Sequence, residues 1–186
     1  MTSLVEERLQ KNCLFLKPVA AHWNYQLSFV VGDNPKPAVE CQMKSKSFND
    51  GVERAFVLIL DQGEEAFKSI TEFANQEKIT GASVSAIGAF AKAKVGWFDL
   101  AAKKYKPIEV NEQCEVLSLL GDVAQGDDGK ASLHLHAVLG LQDGTLRGGH
   151  LLSGSVQPTL EVTITETVGD LRRKKSPDLG IALIRV

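Results

Sequence analysis

The rhythm of apolar positions becomes regular near residue 54. RAFVLILD at 54–61 is a continuous apolar run of strand length. DQGEE follows it, and then Phe67, Ile70, Phe73 and Ala74 recur at spacings of three and four. That spacing predicts a helix from about 64 to 78 with one apolar face. Asp61 is placed to cap its start, and Glu64 and Glu65 suit the positive end of its dipole. Gly81 interrupts the pattern just past its end.

From there the period falls to two, the mark of half-buried strands. ASVSAIGAF at 82–90, KVGWFDL at 94–100, KPIEV, CEVLSLLGDV at 114–123, SLHLHAVL at 132–139, GGHLLSGSV, LEVTITETV and the terminal GIALIRV each read as a strand. Trp97 in KVGWFDL is expected to pack. QGDDGK at 125–130 and GDLRRKKSPD at 169–178 read as loops. One crossover helix and many strands predict an α+β fold with a mixed, largely antiparallel sheet.

Residues 1–51 are different. They hold three of the six prolines and two of the three cysteines, and their periodicity is poor. Ser3 with Glu6 suggests a capping box, and NYQLSFVV at 24–31 a strand. The reading is an N-terminal extension over 1–51, whose role the sequence does not reveal, and one domain over 52–186.

Composition narrows the classes. Cys13, Cys41 and Cys114 are odd in number and widely spaced, which points to reduced thiols and a cytoplasmic protein. Residues 1–12 lack the basic start of a secretory signal, and no apolar run approaches the roughly 20 residues that cross a bilayer. Net charge is −2, against the basic excess usual in proteins that neutralise phosphates. The local basic clusters at 92–94, 103–106 and 172–175 read as solvated loops.

Candidate chemistry gathers in HLHAVLGLQDGTLRGGH at 134–150, which holds three of the four histidines. The fourth, His22 beside Trp23, reads as structural or exposed. Strand alternation puts His134 and His136 on one face, with Ser132 and Val138, and turns Leu133, Leu135, Ala137 and Leu139 to the core. The direction of His150 depends on the hairpin. A two-residue Asp143-Gly144 loop sends it to the wrong face. A three-residue loop of Gln142, Asp143 and Gly144 sets it opposite His136, and a bulge at Gly148–Gly149 would do the same. Three neutral imidazoles from two strands can hold Zn²⁺ and leave a fourth position open, able to activate water or polarise a carbonyl. They can equally form a hydrogen-bonded patch with no metal. A carboxylate usually orients a ligand histidine, and Glu115 and Glu161 are the candidates. Gly121, Gly148 and Gly149 are the structural glycines near this stretch. No catalytic residue can be assigned, and whether the protein is an enzyme stays open.

The run CEVLSLLGDVAQGDDGKASLHLHAVLGLQDGTLRGGHLLSGSVQPTLEVTITE resembles the plant and prokaryote conserved domain (PPC or PCC), and the likeness extends over about 52–186. Its hallmarks here are E-x-L-S-x-x-G, H-x-H-A-x-x and G-G-H-L. The resemblance implies a mixed sheet domain that assembles as a homotrimer. It also implies a DNA-binding or transcription-regulating role, and a metal position at His134, His136 and His150. The chain departs from plant members in lacking an R-G-R-P AT-hook. At the plant partner-contact stretch G-R-F-E-I it reads Glu112, Gln113, Cys114, Glu115 and Val116, so only Glu115 matches. The histidine pattern is also similar to the catalytic zinc triad of acetolactate decarboxylase, a distant likeness in fold. That implies, as alternatives, a zinc-dependent lyase or hydrolase, or a trimeric scaffold for a small molecule with the histidines lining a cavity between subunits. Kinship of fold does not establish chemistry.

Overall fold

A computed structural model describes residues 43–49 and 53–185. The expected capping box at Ser3 and Glu6, the strand at 24–31, His22, Cys13 and Cys41 lie outside the described residues. The described elements run β1 (Lys44–Asn49), β2 (Arg54–Asp61), α1 (Ala66–Gln76), β3 (Gly81–Asp99), β4 (Lys104–Val110), β5 (Cys114–Gln125), β6 (Ala131–Gly140), β7 (Leu146–Glu166), β8 (Arg172–Lys175) and β9 (Ala182–Arg185). They form the α+β fold expected, with one sheet and, among the described residues, one α-helix. Every named strand pair is antiparallel except β5 with β8, which meet in parallel at Gln125 and Arg172. Strand β1 pairs with β2 from inside the segment that sequence assigns to the extension.

The helix starts later than the pattern suggests. Its cap is Glu65, not Asp61, because the chain pairs in β2 through Asp61. The Glu65 carboxylate accepts from the Phe67 and Lys68 amides at 3.3 and 2.7 Å, satisfying two donors that a helix start leaves open. It also accepts from the Gly154 amide at 2.9 Å, which ties the helix to β7. The apolar face goes inward as expected: Ala66, Ile70, Phe73 and Ala74 are buried, and Phe73 meets Phe56 edge-on at 5.3 Å.

Two pairs of expected strands are single long ones. ASVSAIGAF and KVGWFDL are both β3, of 19 residues, and GGHLLSGSV and LEVTITETV are both β7, of 21. These lengths let β3 and β7 share partners. Strand β3 pairs with β5 and β7, and β6 bridges β5 and β7, so the four close into a ring. Leu119, Leu135, Leu139, Leu151 and Phe90 from these strands are fully buried in the core. The face of β6 that carries its histidines is turned away from that core.

The basic clusters are also corrected. Lys92 and Lys94 lie in β3, Lys104 and Lys106 in β4, and RRKK is the strand β8 rather than a loop. Trp97 is not packed inside: it is 59% exposed, with the Lys106 ammonium 5.5 Å from its ring centre.

Candidate metal centre

The β6–β7 hairpin closes through three residues. The Leu141 amide donates to the Thr145 carbonyl at 2.9 Å, the Gly144 amide donates back to the Leu141 carbonyl at 2.9 Å, and Gly144 takes φ +80°. The Asp143 carboxylate accepts from the Thr145 amide and hydroxyl at 2.9 and 2.6 Å and fixes the turn. The odd loop sets the register Gly140↔Leu146, Leu139↔Arg147, Val138↔Gly148, Ala137↔Gly149 and His136↔His150. No bulge intervenes between β6 and β7 at the two glycines, so the loop alone brings His150 to the face of His136. On β6, Leu133, Leu135, Ala137 and Leu139 are buried, His134 is half-buried and His136 is exposed.

The three rings meet. Their centroids lie 5.0 Å apart for His134 and His136, 5.2 Å for His134 and His150, and 5.5 Å for His136 and His150. One nitrogen from each falls within 4.8 Å of the others. The Nε2 atoms of His134 and His136 face each other at 3.1 Å. Among the described residues this is the one group of three or more histidine, cysteine or acidic side chains placed to hold an ion.

The surroundings favour the neutral form of His150 and His134. Burial, and then the neighbouring histidines, hold His150 down to about pKa 4. His134 is lowered by burial, then by His136 and Arg173. Neutral imidazole is the form that binds a metal. The buried Nδ1 of His150 has no hydrogen-bond partner, which is costly for a polar atom inside a protein. Three imidazoles with one nitrogen each in mutual reach, and an orphaned nitrogen on His150, fit a zinc-class cation. Nitrogens about 2.0–2.1 Å from such an ion in a tetrahedron stand roughly 3.4 Å apart; the His134 and His136 nitrogens, at 3.1 Å, would open a little, and all three already lie within 4.8 Å of one another.

Packing fixes His150. The Tyr105 ring stacks on it at 4.6 Å and 20°, and Phe98 meets Tyr105 edge-on at 5.1 Å. Gly96, paired with His150, leaves the room, since a β-carbon there would lie 2.9 Å from Tyr105 Cδ1. Burial raises the Tyr105 pKa, so its hydroxyl stays protonated. Sequence reasoning missed Tyr105, which comes from a hairpin some 45 residues upstream.

The expected glycines are close. A β-carbon on Gly121 would overlap the His134 carbonyl oxygen, one on Gly149 would come within 2.6 Å of the Gly96 carbonyl oxygen, and one on Gly148 within 3.0 Å of that of Ala137. The carboxylates were misplaced. Glu115 pairs with Gly140, four residues beyond His136, and Glu161 is paired with Ile59 and Ile87 at the far end of β7. The carboxylate beside the triad is Asp122, directly opposite His134 across β5 and β6. Strand spacing from an unknown register could not place it. Asp122 is paired with the guanidinium of Arg173.

A sheet closed on itself, with three histidines gathered on its outer face, defines a small β-rich domain. Residues 48–168 match the profile of the Plants and Prokaryotes Conserved (PCC) domain. The chain belongs to that family. Among solved structures it is similar to a metal-containing protein from Archaeoglobus fulgidus, at 36% identity over 76% of this chain and 99% of that one, with a TM-score of 0.67. It is also similar to a PPC protein from Pyrococcus horikoshii, at 29% identity over 77% and 95% of the two chains, with a TM-score of 0.67. A candidate DNA-binding protein from Ralstonia eutropha matches at 25% identity over 76% and 96%, also with a TM-score of 0.67. The likeness to a Staphylococcus aureus protein similar to α-acetolactate decarboxylase, at 15% identity and a TM-score of 0.45, is too weak to argue from. No curated protein matches in sequence. No helix among the described residues is long and apolar enough to cross a membrane.

Proposed function

We propose that this chain is a self-associating, metal-binding PPC protein in which His134, His136 and His150 hold a zinc-class divalent cation. The observation that carries the reading is the orphaned Nδ1 of His150 within a cluster of three imidazoles. The Archaeoglobus fulgidus relative, named as metal-containing, supports it at 36% identity. Bound there, such an ion supplies Lewis acidity at a free fourth position. The chain's own residues position and shield rather than transfer protons. Tyr105 holds the His150 ring and remains protonated, and Asp122 is engaged by Arg173. That favours a holding or regulatory site over the zinc-dependent lyase or hydrolase reading.

Self-association draws on an apolar face around the site. Leu117, Leu120, Val138 and Leu146 are 40–58% exposed. Leu120 pairs with His136, Val138 follows it by two residues, and Leu146 pairs with Gly140, so these share the histidine face. A contiguous exposed aliphatic patch marks an interaction surface. The homotrimer that the family resemblance implies would cover it and enclose the histidines. Metal analysis of purified protein tests the site. Occupancy near one ion per chain should collapse in His136→Ala, and full occupancy retained in that variant refutes the assignment.

A second reading, a DNA-associated regulator, draws on the description of the Ralstonia eutropha relative and on the β8–β9 ribbon. Arg172 pairs with Arg185 there, and Lys174 follows two residues on, so three exposed cations share one face. The net charge of −2 opposes it. A gel-shift series in rising salt decides: contact with phosphates requires affinity to fall as salt rises, and no retardation at low salt refutes it.

A further inference from the structure

The C-terminal hairpin β8–β9 lies beyond the segment that matches the family profile. Its backbone is tied to the rest of the domain by one parallel bridge from Gln125 to Arg172, by the Gln125 amide donating to Leu171 at 2.8 Å and the Leu171 amide to Thr80 at 3.1 Å, and by the Lys175 amide donating to the Asp127 carboxylate at 3.3 Å. Yet it inserts Arg173, the one buried charged residue among those described, at 3% exposure. The guanidinium donates to the Ser132 carbonyl at 2.6 Å and the Ser132 hydroxyl at 3.3 Å on β6, and it is paired with the Asp122 carboxylate on β5. Ser132 and Asp122 are the residues that flank His134, one two positions before it and one directly across from it.

Burying a guanidinium costs several kcal/mol unless its bonds are satisfied, so an apolar residue would serve better if the hairpin needed only an anchor. Instead the cation holds the two residues that flank His134 on paired strands. The Nε2 of His134 faces that of His136, so Nε2 is the atom that would meet an ion between them, and Nδ1 would then carry the proton. A carboxylate behind a ligand histidine stabilises that tautomer and holds the ring.

We propose that Asp122 and Arg173 are positioning residues of the metal centre, Asp122 backing His134 and Arg173, delivered by the C-terminal hairpin, locking Asp122 and Ser132 in place. The centre is then completed by a segment that the family profile does not reach. The inference rests on the metal-binding reading above.

The test uses the full chain and measures the affinity for Zn²⁺ by competition with a chromophoric chelator, the absorption spectrum of the Co²⁺-loaded protein, and the melting temperature. Arg173→Met and Asp122→Asn should each weaken binding about tenfold or more, and alter the Co²⁺ spectrum. The double variant should be no worse than the weaker single one, because both remove one unit. Arg173→Lys should recover part of the affinity. Arg54→Met is the structural control. Arg54 bridges Glu77 and Glu166, which pairs with Ala82 near the start of β3, so its loss should lower the melting temperature without changing affinity or spectrum. The inference is overturned if Arg173→Met binds within threefold of wild type, or if its affinity falls only as far as that of Arg54→Met. If wild-type protein takes up neither metal, the metal-binding reading itself fails and this inference with it.

Discussion

Gly121→Ala is a change of one methyl group whose consequence the backbone dictates. The new β-carbon would overlap the His134 carbonyl oxygen and stand 2.9 Å from Leu135 Cα. Both are backbone atoms of a paired strand, so no side chain can turn aside. Strands β5 and β6 must separate between Leu120↔His136 and Asp122↔His134, the two pairs that flank the glycine. Overpacking of this kind costs about 1–3 kcal/mol, and a ladder hydrogen bond lost with it about 1 kcal/mol more. A net loss of about 3 kcal/mol lowers the melting temperature of a chain this size by roughly 6–12 °C. Because His134 rides on the displaced segment, Zn²⁺ affinity should fall in the same variant. Gly169→Ala is the control, since nothing lies within 4 Å of a β-carbon there. Differential scanning calorimetry and the chelator competition read the two effects. A Gly121→Ala protein that melts within 2 °C of wild type and keeps its affinity refutes the close β5–β6 approach and its link to the site.

Other outcomes follow from the same geometry. In protein stripped of metal, His150 stays neutral down to about pH 4, whereas in the unfolded chain it protonates near 6.5. Stability is therefore unaffected by this group above pH 6.5 and should be lost as pH falls from 6.5 to 4, by on the order of 2 kcal/mol, with urea titrations to read it and His150→Gln to reduce the slope, the remainder coming from His134, which is also lowered. Tyr105→Phe keeps the stacked ring and should bind Zn²⁺ within threefold of wild type, whereas Tyr105→Ala should lose about tenfold; equal affinity in all three would show that the stack does not hold His150. Leu120→Glu combined with Val138→Lys puts charges on the exposed aliphatic face and should yield monomers by light scattering, and an unchanged oligomer would place the interface elsewhere.

The sequence made some of this visible because the causes are local. The turn chemistry of Gln142, Asp143 and Gly144, with strand alternation, specifies which imidazoles share a face, and the hairpin's register follows from them. The helix face followed from spacing, but its cap did not, since Glu65 is held in part by Gly154 from a distant strand. Long strands were cut into pieces because β3 shifts register at Ala86–Gly88 and again further on, which breaks the alternation that reveals a strand. Strand β8 was hidden because four consecutive basic residues carry no apolar period, and its inward side chain is a buried arginine. Arg173 and Tyr105 reach the site through pairings between segments far apart in the chain, whereas Asp122 reaches it across the β5–β6 hairpin, whose register the 126–130 loop does not announce. Glu115 and Glu161, opposite Gly140 and between Ile59 and Ile87, pair away from the three histidines, which spacing alone does not express.

The most direct measurement is anomalous diffraction at the zinc edge from crystals of the full chain grown with Zn²⁺. If the triad is a metal centre, a single strong peak per chain will lie about 2.0–2.1 Å from one nitrogen each of His134, His136 and His150, with His150 binding through the nitrogen that now lacks a partner. No peak between the three rings at saturating Zn²⁺, or a peak that persists in His136→Ala, contradicts it.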